Sequence, residues 1–114
     1  MDKQAYLIKR LESTIEGCEA SIRKFAEKLI NDPAYTLSWG TDSFKTAAEL
    51  KVYKQVLNAF NDGATLEQVK SSLMDRVLNK AKYPAQSTSP CSNLMETYEL
   101  AAYAELVSDM AHYE

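Results

Sequence analysis

Residues 3–31, KQAYLIKRLESTIEGCEASIRKFAEKLIN, decide the fold. Ile8, Ile15, Ile22 and Leu29 recur every seven residues, and Leu11, Cys18 and Phe25 follow the first three of them by three positions. Lys9, Arg10, Glu12, Glu16, Glu19, Arg23, Lys24 and Glu27 fall off this seam. An a/d pattern held over three repeats is the mark of a long helix laid lengthwise on another helix. A four-helix bundle and pairing with a second chain need the same seam, so both readings stand. Gly17 costs such a helix about 1 kcal/mol relative to alanine. It either permits a close crossing beside Cys18, Ala20 and Ser21 or is simply tolerated.

Outward from this helix, the few glycines and prolines punctuate the chain. Pro33 and Gly40 bracket a first break, Gly63 marks a second, and Pro84 and Pro90 bracket a third. The apolar period between breaks is helical, which predicts an all-α, four-helix bundle-like single domain with helices near 3–31, 42–62, 65–82 and 93–112. The break DPAYTLSWGTD (32–42) is unusual for a loop because it carries Tyr35, Leu37 and the only tryptophan, Trp39. If extended, it points all three the same way. It reads either as a lid on one end of the bundle or as an aromatic anchor for a partner.

The second helix starts near Thr41–Ser43 and ends before Gly63, with an apolar stripe wider than one neighbour requires. The third opens on Thr65-Leu-Glu-Gln68, a capping box, and carries Lys70, Arg76, Lys80 and Lys82. Three of these lie in its final turns, where the helix dipole favours cations. The last helix takes either Ser89 as cap with Pro90 in its first turn, or Asn93 as cap with Glu96 completing a box. Twelve of residues 94–111 are apolar and surround the helix. A helix that is apolar all round is central to its own fold or shared with another molecule.

The 114 residues are 46% hydrophobic and 25% charged with net charge −3, a composition of one ordinary globular domain. No run of apolar residues is long enough to span a membrane. The first 15 residues interleave charged and apolar groups too closely for a secretory signal. A negative net charge argues against direct nucleic-acid binding through phosphates. The charge is uneven: residues 1–82 hold all 13 basic residues against 11 acidic ones (+2), while 83–114 hold only Glu96, Glu99, Glu105, Asp109 and Glu114 (−5). Pairing of the acidic last helix with the basic third helix accounts for this, as does an acidic surface offered to a basic partner.

Catalytic chemistry is thin. His112 is the only histidine, two residues from the end, and two cysteines with one histidine make a poor metal cage. No GxGxxG, GxxxxGK or CxxC pattern occurs. Cys91 lies near a helix start that lowers a thiol pKa, but no base is placed beside it. Ser87, Thr88 and Ser89 can hold an anion at that start, or simply cap it. The reading is therefore of a non-enzyme without metal or cofactor.

Two segments, NDPAYTLSWGTDSFKTAAEL (31–50) and YPAQSTSPCSNLMETYELAAYAEL (83–106), resemble parts of small uncharacterised helical proteins of tailed phages and prophages. The resemblance rests on residue texture and brings no active-site residues. It implies an origin on a mobile element and the cytoplasm of a bacterial host. By class, it implies an inhibitor of a host nucleoprotein complex, anti-CRISPR proteins among them. On this reading Tyr35, Trp39, Glu96, Glu99 and Tyr103 bind the partner protein, which is blocked by occlusion or displacement. The alternative is a homo-oligomeric structural or virion-accessory protein that self-associates through the heptad helix or the last helix. A small-molecule-binding bundle or an enzyme using Cys91 is a third class.

Overall fold

A computed structural model describes residues 3–82 and 90–111 of the chain. Four helices follow in order, α1 (Lys3–Asn31), α2 (Pro33–Asn61), α3 (Leu66–Lys82) and α4 (Pro90–Ala111), with no strand among the described residues. The protein is all-α and bundle-like.

Helices α1 and α2 form an antiparallel hairpin that turns on one residue. Asp32 (φ −146°, ψ 86°) is the single non-helical residue between them, and its N–H still donates to Lys28 O at 2.7 Å. The expected loop 32–42 is therefore not a loop, and the second helix starts at Pro33 instead of near residue 42. Proline is at home as the first helical residue because its fixed φ suits the helix and its missing N–H has no helical partner there anyway. Gly40 is carried inside the helix. The segment is helical and not extended, so the strand-like alternation of residues 35, 37 and 39 does not apply to it. The last helix likewise starts at Pro90, which puts Asn93 inside it and excludes the Asn93 cap. His112 and the Ser87-Thr88-Ser89 cluster lie outside the described residues.

The turn between α2 and α3 follows its sequence signals closely. Gly63 sits at φ +100° just past the helix end, a conformation that side chains with a Cβ resist. Ala64 N–H donates to Ala59 O at 3.0 Å and Gly63 N–H to Phe60 O at 3.1 Å, the paired bonds of a Schellman C-cap. Thr65 and Gln68 form the reciprocal capping box, at 3.2 Å to the Thr65 hydroxyl and 2.9 Å to Gln68 Oε1. Gln4 of α1 clamps this turn from outside. Its Nε2 donates to Ala64 O at 3.3 Å, and its Oε1 accepts from Leu66 N–H at 3.2 Å. That second bond satisfies a helix-start donor that α3 itself cannot.

All four helices feed one core: Leu7, Leu11 and Ile15 of α1, Val52, Tyr53, Val56 and Phe60 of α2, Val69 and Leu73 of α3, and Ala102, Leu106 and Met110 of α4. Helix α2 packs on each of the other three, so it is the central one. The apolar girth of α4 is spent on both α2 and α3, with Ala101 and Ala104 left outward. Burial along the heptad seam fades with distance from this core. Cys18, Ile22 and Phe25 are half-buried, and Leu29 is 46% exposed. Leu7, off the seam, is buried because the start of α1 faces more than one helix.

The hairpin outruns its cover. Each of its arms spans 29 residues, about 44 Å at 1.5 Å per residue, which matches the 45 Å long axis of the molecule. Helices α3 and α4, at 17 and 22 residues, reach only about 26 and 33 Å. No described residue between 16 and 47 is fully buried. The radius of gyration, 15.7 Å, exceeds the about 13 Å of a compact chain this long. The accessible area of 7550 Å² likewise exceeds the about 6,300 Å² expected from its mass.

Two expectations follow. Leu11→Ala should cost about 2–5 kcal/mol in urea unfolding, whereas Leu29→Ala on the same seam should cost under about 0.5 kcal/mol. Equal losses would mean that the seam is buried along its whole length. The second concerns Tyr53, whose hydroxyl donates to Glu49 Oε2 at 3.3 Å. Burial, and then the Glu49 carboxylate, push its phenol well above the ordinary value. A group with a raised folded pKa stabilises below its unfolded pKa and loses that contribution as pH rises. Stability should thus fall as pH climbs past about 10, and Tyr53→Phe should flatten that fall while costing about 1 kcal/mol at neutral pH.

Candidate functional site

Because α3 leans on α4 more than on α2, the three helices leave a groove of about 780 Å³ between them. Helix α2 lines it with Phe44, Lys51 and Gln55, at steps of seven and four residues that keep one face. Helix α4 contributes Met95, Glu96, Glu99, Leu100 and Tyr103, and α3 adds Arg76 and Asn79. The volume falls in the range of small-ligand pockets.

Polar groups are graded along the groove. At one end Arg76 Nη1 donates to Gln55 Oε1 at 3.3 Å and to the Tyr103 hydroxyl at 3.2 Å. The Tyr103 hydroxyl donates in turn to Gln55 Oε1 at 3.1 Å. The guanidinium carbon also lies 5.4 Å from the centre of the Tyr103 ring, within cation–π range. In the middle, Lys51 Nζ meets Glu99 Oε1 at 2.9 Å. That oxygen is shielded from solvent, so the ammonium is what balances its charge. The bond to Glu99 and its charge raise the Lys51 pKa. At the far end lie Glu96, Met95 and Phe44, whose ring meets Tyr98 edge-on at 6.1 Å.

Three of the five residues expected to bind a partner, Glu96, Glu99 and Tyr103, thus come together here. Trp39 does not join them. It lines a separate crevice of about 330 Å³ between α1 and α2, with Ser21, Ile22, Lys24, Asp42, Ser43 and Thr46. The side chain of Tyr35 lies outside the described residues, as does that of Cys91. Sequence reasoning missed Lys51, Gln55 and Arg76. Arg76 reads as one of several cations near the end of α3, and nothing local in the sequence pairs it with residues 21 and 27 positions away. Helix α3 does pack on α4, and among the described contacts the ion pair of Glu99 runs to α2 while Arg76 meets α4 at a hydroxyl and a ring.

Elsewhere, burial and the neighbouring Glu49 carboxylate push the Cys18 thiol up, which makes it a weak nucleophile. Among the described residues no group of His, Cys, Asp and Glu is arranged to hold a metal ion, and no helix is long and apolar enough to cross a membrane.

Glu99→Gln should cost at most about 1 kcal/mol, because Lys51 is more than half exposed and solvent screens the pair. That loss should shrink in high salt. A salt-independent loss of several kcal/mol would instead mark Glu99 as a packing residue. In comparisons with known proteins, no family model matches the chain, and no curated protein or solved structure does.

Proposed function

We propose that the chain is a non-catalytic protein-binding factor that makes contact through the outer part of the α1–α2 hairpin. The observation that carries this reading is the exposure of large apolar side chains where the hairpin outruns the core: Ile30 is 81% exposed, Trp39 49% and Leu29 46%. Exposed aromatic and aliphatic anchors are the usual centre of a binding surface. The resemblance to phage and prophage proteins carries the finer proposal: a host nucleoprotein complex as partner, in the bacterial cytoplasm, blocked by occlusion. Trp39→Ala should abolish capture of the partner from host lysate while changing stability by less than about 1 kcal/mol. Unfolding of the variant would move Trp39 into the core and end its assignment to the contact.

Self-association is the second reading, favoured by the same exposed tail of the heptad seam at Leu29 and Ile30. Light scattering separates the two. A dimer that Ile30→Asp dissociates supports self-association, and a monomer at micromolar concentration eliminates it.

A further inference from the structure

The α2–α3–α4 groove has a feature that protein contact through the hairpin leaves unused. Arg76 Nη1 donates on one side of the guanidinium, to Gln55 and to the Tyr103 hydroxyl. These bonds and the Tyr103 ring fix the plane of the guanidinium. Its other edge, Nε with Nη2, makes no bond among the described residues. That edge carries two parallel N–H donors with the spacing of a carboxylate. Arg76 is held by neutral acceptors, and no carboxylate of the described residues pairs with it. Lys51, the other cation among the described lining residues, is already balanced by Glu99.

We propose that this groove binds a carboxylate carried on an apolar body, the acid taken side-on by Arg76 and the apolar part laid along Leu100, Met95 and Phe44. The charge count over the described lining residues selects the ligand class. One uncommitted guanidinium edge suits one negative charge, whereas a phosphate dianion would set two beside Glu99 and Glu96. A cationic ligand is disfavoured in the same way, since Glu99 is paired and Glu96 already has interactions of its own. A small organic acid and an acidic peptide segment with apolar neighbours share this chemistry.

The test is amide and arginine side-chain NMR on the full chain. The probes are 4-phenylbutyrate, its neutral amide, the peptide acetyl-Phe-Glu-Leu-amide, and the same peptide with glutamine for glutamate. The acids should shift the signals of Gln55, Arg76 and Tyr103 saturably and move the Arg76 Nε–H resonance, while the neutral counterparts should not. Arg76→Lys should weaken binding roughly tenfold by losing the two-pronged contact. Arg76→Met should abolish it, and Tyr103→Phe should weaken it by freeing Nη1, with far-ultraviolet circular dichroism reporting that each variant stays folded. Stronger binding of phenylbutyrate than of the peptide assigns the site to a small acid, and the reverse order assigns it to an acidic segment. Equal binding of acid and amide, full binding by folded Arg76→Met, shifts confined to the α1–α2 hairpin, or no saturable shift with any probe would each overturn the proposal.

Discussion

The structure depends on a helix that must be apolar on more than one side. Val52 of α2 is completely buried, and beside it Tyr53 lines a crevice with α1 and α4 while Val56 lines one with α3. A helix that faces three others cannot confine its apolar residues to one stripe. Its length is then set by the partner that follows it furthest, which is α1. Once α1 and α2 are locked side by side for 29 residues each, the shorter α3 and α4 can cover only one end. Both candidate sites descend from that mismatch. The uncovered end exposes apolar side chains, and at the covered end α3 leans toward α4 and opens a groove.

Local signals were legible wherever the physics is local. The end of α1, the glycine at the end of α2 and the Thr65–Gln68 box all appear where residue chemistry places them, because caps and backbone preferences act within a few residues. The break at residues 32–42 was misread for an instructive reason. Pro33 and Gly40 look like brackets around a loop, yet proline is welcome at a first helical position. The cost of one glycine, about 1 kcal/mol, is small beside a long packed interface with α1. Tertiary packing outweighed local propensity there.

The groove was only partly legible. Glu96, Glu99 and Tyr103 share a face of α4, so their grouping follows from helical spacing. Their partners do not. Gln55, Arg76 and Tyr103 meet through hydrogen bonds that span 21 to 48 positions, and only the packing of three helices sets that register. Charge totals misled in the same way, because the sum over α4 is silent on which helix supplies the counter-ion. Lys51 of α2 supplies it for Glu99.

The one-residue turn at Asp32 joins two helical arms that, from residue 16 to residue 47, have no fully buried side chain among those described. Free energy of opening is distributed as burial is distributed. This outer segment can therefore lose its helical order while Leu11, Val52, Leu73 and Met110 stay packed. Burial is concentrated at one end of one pair of continuous helices, so resistance to opening is expected to be greatest there. The protected amides should belong to the covered end, and whatever engages the far end meets a surface whose order it must help to maintain.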